Sequence, residues 1–403
     1  MFIHRMFALS WLPAILAVMG TGIFLANPEQ VFQAATEGVE IWWKVVFPAL
    51  MPYFMLTELL LASGLIHFCG RLATPVTGPL LGLPGAAIWA LLSGWIGGYP
   101  AGAKATASLA QQGIIHKQQG ERLLAYSHTA SPALVATVIA AGFLHMPQLA
   151  LPLLLIHWAA QLIVILLVAW SVRSPTAQLP KQAASIWKQA LRDMRRARQA
   201  DGRSFGQLLG DTVKHVIEQL FAIGGIIIFC SVAAVMLHPI LNLLHLQAWG
   251  AWAVVVLEVH LGASQLAQWQ LPELTIMMAA IGALLGFSGL SMLLQVRALL
   301  SKSGIRLHLF LMTRLMHAVL AFGLTLAIWE PLLHLLHRAV VPTITYEFPL
   351  IEQSSYGVAP LYVWALAAPA ITILLFVFFV ACSTLLIIMK KAGQRMTHWF
   401  RLF

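Results

Sequence analysis

The residues best suited to chemistry interrupt long apolar stretches of the chain. Lys104 ends the run Gly-Gly-Tyr-Pro-Ala-Gly-Ala-Lys at 97–104, in which the glycines and the proline should break a helix at membrane depth. Because an ammonium group inside a membrane needs a partner, a transported anion or a carboxylate would suit Lys104. Alternatively, Lys104 lies near the membrane surface and extends its charge into water. Tyr99 and Gly102, in the same run, are further candidate solute contacts.

A second polar run precedes Pro132. It consists of Ser127, His128, Thr129 and Ser131. These hydroxyls could bond the carbonyl groups that a kink frees, or they could present donors to a carboxylate or a ribose-like ligand. The histidine could equally form a hydrogen bond with a neighbouring helix. The run is therefore a second candidate segment for binding a solute.

An acidic residue and a histidine follow a third apolar stretch. Glu258 and His260 stand in Val-Val-Val-Leu-Glu-Val-His-Leu-Gly. An acidic residue there is costly without a partner, and a proton, a sodium ion or Lys104 would serve. A structural ion pair is the alternative. We expect these two residues to couple transport to an ion, with sodium and proton both left open.

A fourth group is formed by Ser288, Ser291 and Gln295, whose i, i+3, i+7 spacing would put all three on one face of a helix. They are candidate solute contacts in the second half of the chain. Neither a zinc-protease, nucleotide-loop nor nucleophile-elbow motif occurs. We therefore expect a carrier driven by an ion or solute gradient, rather than an enzyme, with no cofactor and no bound metal.

The composition indicates a membrane protein. The 403 residues are 60% hydrophobic and 9% charged, with a mean hydropathy of +0.83, whereas soluble chains carry about a quarter charged residues. The apolar runs are continuous rather than alternating, which excludes an outer-membrane barrel. The three cysteines are far apart and show neither metal-site nor disulfide spacing. The expected fold is an all-α polytopic membrane protein with roughly eight to ten membrane segments.

Ten apolar stretches are candidate membrane segments. They cover residues 6–26, 42–66, 80–109, 121–143, 149–171, 212–237, 248–267, 272–300, 307–329 and 359–389. The first reads as an uncleaved spanning helix, since no convincing cleavage site ends it. The stretches 80–109 and 248–267 are poor spans, because glycines and charged residues interrupt them. These two should be broken helices.

Basic residues set the predicted orientation. The stretch 173–203 has eight basic residues against two acidic ones, out of a net charge of +10 for the whole chain. The positive-inside rule places this linker and the basic tail in the cytoplasm. Acidic residues at 29–40 and 330–352 suit the outside, so both termini should be cytoplasmic. The linker could bind nucleic acid or anionic lipid, but a solvated connector that includes a helix at 186–200 is the preferred interpretation.

The two halves of the chain resemble each other. Gly102 precedes Ser131 by 29 positions, and Gly262 precedes Ser291 by the same spacing. The first half begins after the acidic outer segment and the second after the basic linker, so the halves would enter the membrane from opposite sides. This is the plan of a transporter with two inverted repeats, re-entrant hairpins and interrupted helices. The predicted units are 1–41, a first repeat 42–172, a linker 173–211, a second repeat 212–330 and a last span with its tail, 331–403.

These motifs carry a family resemblance. Residues 93–104, Ser-Gly-Trp-Ile-Gly-Gly-Tyr-Pro-Ala-Gly-Ala-Lys, together with 127–132, 257–262 and 287–295, resemble the YlbJ-type sporulation integral membrane proteins, also called SpoVV. That family contains a nucleoside-recognition Gate domain twice and is similar in plan to concentrative nucleoside transporters. The likeness extends over most of residues 42–329.

The resemblance implies transport of dipicolinate, pyridine-2,6-dicarboxylate, across the outer forespore membrane of a spore former. A dianion suits a site made of Lys104, hydroxyls and helix N-termini. Two alternatives stay open, an ion-coupled nucleoside carrier with Glu258 as the coupling site and a non-transporting membrane scaffold. The expected partners are a small anion and the lipid bilayer, without nucleic acid, and a homo-oligomer is compatible with the sequence.

Overall fold

The computed structural model describes residues 14–171, apart from 16 and 19, and residues 186–245, 250–269 and 273–344. This part of the chain is helical and contains no β-strand. Five of its helices are long and apolar enough to cross a membrane: Pro28–Leu56, Pro147–Trp170, Phe205–Leu243, Leu274–Leu300 and His308–Leu336. The predicted all-α polytopic class is therefore confirmed. The predicted span 359–389 and the start of 6–26 lie outside the described residues.

Residues 28–171 contain seven α-helices, with a π-helical turn, Trp42–Val46, between the first two. They are α1 Pro28–Ile41, α2 Phe47–Ala62, α3 Leu65–Leu81, α4 Ile88–Gly97, α5 Ala101–Gln111, α6 Lys117–Ser127 and α7 Ala150–Ser171. A π-helix, Leu134–Phe143, lies between α6 and α7.

The second half begins with the linker helix. Its helices are α8 Ile186–Asp201, α9 Phe205–Leu243, α10 Gly250–Leu257, α11 Val259–Gln268, α12 Leu274–Phe287, α13 Leu290–Leu300 and α14 His308–Ile344. The helix expected at 186–200 in the linker is thus present as α8.

The acidic stretch before residue 42 is helical, whereas the sequence predicts a helix only from that residue. Pro28 at the first helical position starts α1, and Val31, Ala34 and Gly38 bury its small apolar face against α9. Trp42 then donates a hydrogen bond from Nε1 to the Leu220 carbonyl, at 2.9 Å. Local charge misled the prediction, because one face of α1 is apolar while the glutamates occupy the other.

Both predicted broken helices are present. The first break lies between α4 and α5, where Gly98 adopts a left-handed φ of 75° before Tyr99 and Pro100. The second lies between α10 and α11, where extended backbone at Glu258 separates the two helices. In each case the backbone leaves the helix inside an apolar run.

Two further breaks follow in the same order along each half. Residues 128–132 separate α6 from the π-helix, and Ser288 and Gly289 separate α12 from α13. The helix α5 packs against α13 of the other half, and α11 packs against the π-helix of the first. A broken helix of each half thus packs against the other half. The opposite orientation of the two halves in the membrane stays a prediction.

The linker helix α8 packs on α3 through both apolar and polar contacts. Arg71 donates two hydrogen bonds to Gln189, and the Trp187 ring meets Phe68 edge-on. The helix ends at Asp201, which pairs with Arg203 at 2.6 Å. That hydrogen bond lowers the pKa of Asp201 to about 2, so the carboxylate stays ionised at the junction between α8 and α9.

Candidate functional site

A cavity lies where the interrupted helices of the two halves meet. The free space there, with the open solvent at its mouth included, is about 430 Å³. Its walls come from α2, α9, the helix breaks and α13, and the lining residues are Leu50, Phe54, Gly97, Tyr99, Ser131, Leu134, Ile223, Ile226, Glu258, His260, Met292 and Gln295. Five predicted site residues, Tyr99, Ser131, Glu258, His260 and Gln295, are therefore brought together. Cavities with mostly apolar walls and a few convergent polar groups are the usual sites for small molecules.

Tyr99 lies in the first break and contributes a free donor to this cavity. Its side chain is 6% exposed, and its hydroxyl has no hydrogen-bond partner among the described residues. The ring stacks on the imidazole of His128, with centroids 4.9 Å apart. A buried hydroxyl without a partner is costly, and a bound solute could satisfy it.

Two glycines bring the first hairpin into contact with the end of α6. A Cβ atom at Gly94 would lie 1.6 Å from the Ser127 carbonyl oxygen, and one at Gly102 would lie 2.4 Å from the same atom. Ser127 is buried there, with its hydroxyl 3.5 Å from that of Thr106. Neither Ser127 nor Gly102 lines the cavity. Their close contact with each other instead fixes the position of the break.

His128 joins the two halves. Its Nε2 atom lies 3.0 Å from Ser288 Oγ, and the Ser288 hydroxyl donates to the Phe287 carbonyl. The imidazole must therefore be the donor to the serine oxygen. The sequence left two roles open for His128, contact with a solute and a hydrogen bond to a neighbouring helix. The structure has the hydrogen bond, to the break between α12 and α13.

Ser288 does not share a helix face with Ser291 and Gln295. The helix α13 begins only at Leu290, and Ser288 adopts a left-handed φ of 72° ahead of Gly289. The predicted common face was wrong for this residue, because the paired turn residues end one helix before the next begins. Gln295 reaches the cavity, whereas the hydroxyl of Ser291 is buried with no partner among the described residues.

Thr129 and Ser131 hold the unwound segment after α6. The Thr129 hydroxyl lies 2.9 Å from His157 Nε2, which also accepts a hydrogen bond from the Ala130 backbone N–H. The Ser131 oxygen accepts a hydrogen bond from the Leu134 backbone N–H at 3.1 Å, at the start of the π-helix. Ser131 thus satisfies a freed backbone group, as a kinked helix requires, whereas the Thr129 hydroxyl contacts a side chain of α7. Ser131 also lines the cavity.

Glu258 caps α11 and pairs with His260. One carboxylate oxygen accepts hydrogen bonds from the backbone N–H groups of His260 and Leu261, at 2.7 and 2.8 Å. The other lies 2.7 Å from His260 Nδ1. Glu258 is only 2% exposed, so its charge is compensated locally by the helix N-terminus and the imidazole. The sequence left open an ion pair with Lys104, and the structure pairs Glu258 with His260.

Lys104 lies outside the cavity lining. Its side chain is exposed, and Nζ lies 3.0 Å from His215 Nε2 of α9. His215 is in turn 3.5 Å from a carboxylate oxygen of Glu58 on α2. Since Phe54 and Ile223 of the same two helices line the cavity, this cluster lies one to two helical turns farther along them.

A buried polar network that was not predicted from the sequence lies next to the cavity wall, around Arg314. Arg314 of α14 donates hydrogen bonds to the carbonyls of Ala125 and His128 at the end of α6. Gln161 of α7 donates to Ala125 as well, at 2.8 Å. An arginine inside the apolar run 307–329 was the available signal, because buried charges in membrane helices need a reason. No group of three metal-binding side chains occurs within the described ranges.

Comparison with known proteins identifies relatives of this chain. Residues 43–168 match the Gate family, described as nucleoside recognition. That range falls within the first predicted repeat, 42–172. The chain is also 30% identical to the sporulation integral membrane protein YlbJ of Bacillus subtilis (strain 168), over 376 residues that cover 88% of this chain and 90% of the relative. No solved structure matches the chain. With the broken helices and the Gate match in its first half, the chain belongs to the family of the sporulation integral membrane protein YlbJ.

Proposed function

We propose that the protein is a secondary carrier for a small anionic solute, with dipicolinate as its substrate during spore formation. The observation that carries this proposal is the cavity to which both halves contribute polar groups, Tyr99 and Ser131 from one half and His260 and Gln295 from the other. A site between repeats is where alternating movements of the halves can expose a solute to either side.

Several features favour an anion with an aromatic ring. The helix α5 begins beside the cavity-lining Tyr99, and α13 contributes Met292 and Gln295 to the lining. Neither N-terminus has a side-chain cap in the described structure. Such helix ends attract carboxylates. The hydroxyl of Tyr99 adds a donor, and its ring, stacked on His128, offers an aromatic surface.

The Glu258–His260 pair is proposed to couple transport to protons. Both side chains line the cavity, and a carboxylate oxygen of Glu258 lies 2.7 Å from His260 Nδ1. Positive charge received at this pair would offset the carboxylate, which otherwise repels an anionic solute. Lys104 and His215, outside the lining, are proposed to meet the solute before it reaches the cavity.

A nucleoside carrier is the second candidate, and the Gate match favours it. Gln295 and Glu258 could form hydrogen bonds with a sugar or a base.

The proposed location is the outer forespore membrane, with both termini in the cytoplasm.

Equilibrium binding to the purified protein in detergent distinguishes these functions. Titration calorimetry with dipicolinate, uridine and the aliphatic dicarboxylate glutarate should show saturable binding of dipicolinate and weaker binding of the other two. Binding of uridine without dipicolinate would establish the nucleoside carrier instead. Binding of none by folded protein would favour a scaffold.

A further inference from the structure

A permanently charged residue lies deep in the protein and outside the cavity lining. Arg314 belongs to the apolar span His308–Leu336 and is 0% exposed. A guanidinium stays protonated in proteins and is costly to bury, so its charge requires compensation or a function.

Hydrogen bonds, rather than a carboxylate, hold this charge. Nη2 donates to the Ala125 carbonyl and to Gln161 Oε1, at 3.0 and 3.1 Å, while Nη1 donates to the His128 carbonyl and lies 3.2 Å from His317 Nδ1. In the described ranges, no acidic side chain forms an ion pair with Arg314. The carbonyl end of a helix offers only about half a negative charge. The ring of Phe310 adds a cation–π contact, with its centroid 5.6 Å from the guanidinium carbon. Among the described residues, therefore, no full negative charge is paired with Arg314.

Capping the end of α6 does not by itself require a cation. Gln161 Nε2 donates to the carbonyls of Ala125 and Tyr126, and Trp95 Nε1 donates to Tyr126 at 3.1 Å. These neutral donors satisfy the carbonyls of Ala125 and Tyr126, and the His128 carbonyl is bonded by Arg314. A carbonyl needs a donor but not a charged one, so the charge of Arg314 is in excess of what the break needs.

The charge lies close to the solute cavity. His128, whose carbonyl accepts a hydrogen bond from Arg314, stacks on the ring of Tyr99, and Tyr99 lines the cavity. Only one residue thus stands between the guanidinium and the cavity wall. A charge this close raises the electrostatic potential at the cavity wall, because the buried protein between them screens it less than bulk water would.

We propose that Arg314 is the fixed positive charge that makes the cavity prefer anionic over neutral solutes. This role rests on the proposed function. Arg314 acts through the electrostatic potential at the site rather than by touching the solute. The carbonyl groups at the end of α6 offset part of the positive charge of Arg314, and a carboxylate solute in the cavity would offset the rest.

The test compares dipicolinate with its neutral diamide, which has the same ring and nearly the same shape. Binding of both is measured for the wild type, Arg314→Gln, Arg314→Lys and Trp95→Phe. In Arg314→Gln, dipicolinate affinity should fall by about tenfold or more, with diamide affinity nearly unchanged. Arg314→Lys keeps the charge and should keep the preference. Trp95→Phe removes a neutral donor to the same helix end, one that makes no hydrogen bond with Arg314, and should affect both solutes equally.

An equal loss of both solutes in Arg314→Gln would overturn the proposal, since it would indicate positioning alone. If that variant does not fold, loss of the anion preference in folded Arg314→Lys would also overturn it. Equal binding of the two solutes by the wild type would refute only the role of Arg314. Failure of the wild type to bind either solute would refute the proposed function together with this role.

Discussion

The Nε2 atom of His128 lies 3.0 Å from Oγ of Ser288, across 160 positions of sequence. Each residue belongs to a helix break, one in each half of the chain. The imidazole also stacks on Tyr99 of the cavity wall. A single hydrogen bond thus connects both interruptions with the candidate site.

Two substitutions at Ser288 should separate this hydrogen bond from backbone strain. Ser288→Ala leaves the buried His128 N–H without its acceptor, so the free energy of unfolding should fall by about 1–2 kcal/mol. Ser288→Gly loses the same bond but relieves the left-handed backbone by about 1 kcal/mol. Thermal unfolding in detergent should therefore rank wild type above Ser288→Gly and Ser288→Gly above Ser288→Ala. An unfolding midpoint of Ser288→Ala equal to that of the wild type would contradict the contact.

Tyr99→Phe should weaken solute binding without destabilising the protein. The hydroxyl has no partner in the described structure, so its removal costs no internal hydrogen bond. Loss of one bond to the solute should lower affinity by about fivefold to tenfold. Tyr53→Phe is the matched control, because that hydroxyl donates to the Ile96 carbonyl and its loss should lower stability instead. A Tyr99→Phe variant with unchanged affinity would remove Tyr99 from the site.

Gly94→Ala should prevent stable folding. The added Cβ would lie 1.6 Å from the Ser127 carbonyl oxygen, a backbone atom that cannot move aside without displacing the break. The cost should be about 3 kcal/mol or more, which is the range of severe overpacking. Gly225→Ala is the control, since nothing lies within 4 Å of the added carbon. Abundance in the membrane fraction should fall sharply for the first variant only, and equal abundance of the two would contradict the packing.

Glu258→Gln should uncouple transport from the proton gradient. The substitution removes the carboxylate charge in the cavity wall that a coupling cation would offset. Uptake into liposomes should then respond little to an imposed pH difference, whereas wild-type uptake should respond strongly. The control Glu273→Gln changes an exposed glutamate that also precedes a helix without capping it. A proton response retained by Glu258→Gln would place the coupling elsewhere.

Lys104→Ala should lower or abolish transport and leave insertion and abundance intact. The side chain is exposed, so its removal creates no cavity and costs little stability. Its contact with His215 places its charge beside α9, where an arriving anion would meet it. The exposed Lys302, changed to Ala, controls for a general loss of positive charge. Wild-type transport rates in Lys104→Ala would exclude the role.

The sequence was sufficient where local chemistry decides the structure. The Gly-Gly-Tyr-Pro run predicted the first break, and the pair Glu258 and His260 predicted the second, because neither run can continue a helix within lipid. The helix predicted at 186–200 within the basic linker is present as α8. Tyr99, Ser131, Glu258, His260 and Gln295 were found from type and position, and all five line one cavity.

Contacts between residues far apart in the chain could not be predicted from the sequence. Nothing local indicates that Arg314 caps the end of α6 or that Lys104 contacts His215, because both contacts depend on how distant helices cross. The prediction that Ser288 and Gln295 share a helix face was wrong for a local reason, because Ser288 adopts a left-handed backbone conformation. The helix propensity of serine does not reveal such a conformation. Buried arginines in apolar runs are the signal to weigh more heavily in related chains.

Counterflow in proteoliposomes tests the central claim most directly. Vesicles that contain the wild-type protein and an excess of unlabelled dipicolinate inside are diluted into labelled dipicolinate at equal pH. A carrier with one central site should accumulate label transiently, and Tyr99→Phe should do so at a lower rate. Absence of accumulation with folded wild-type protein, relative to protein-free vesicles, would contradict the assignment as a dipicolinate carrier.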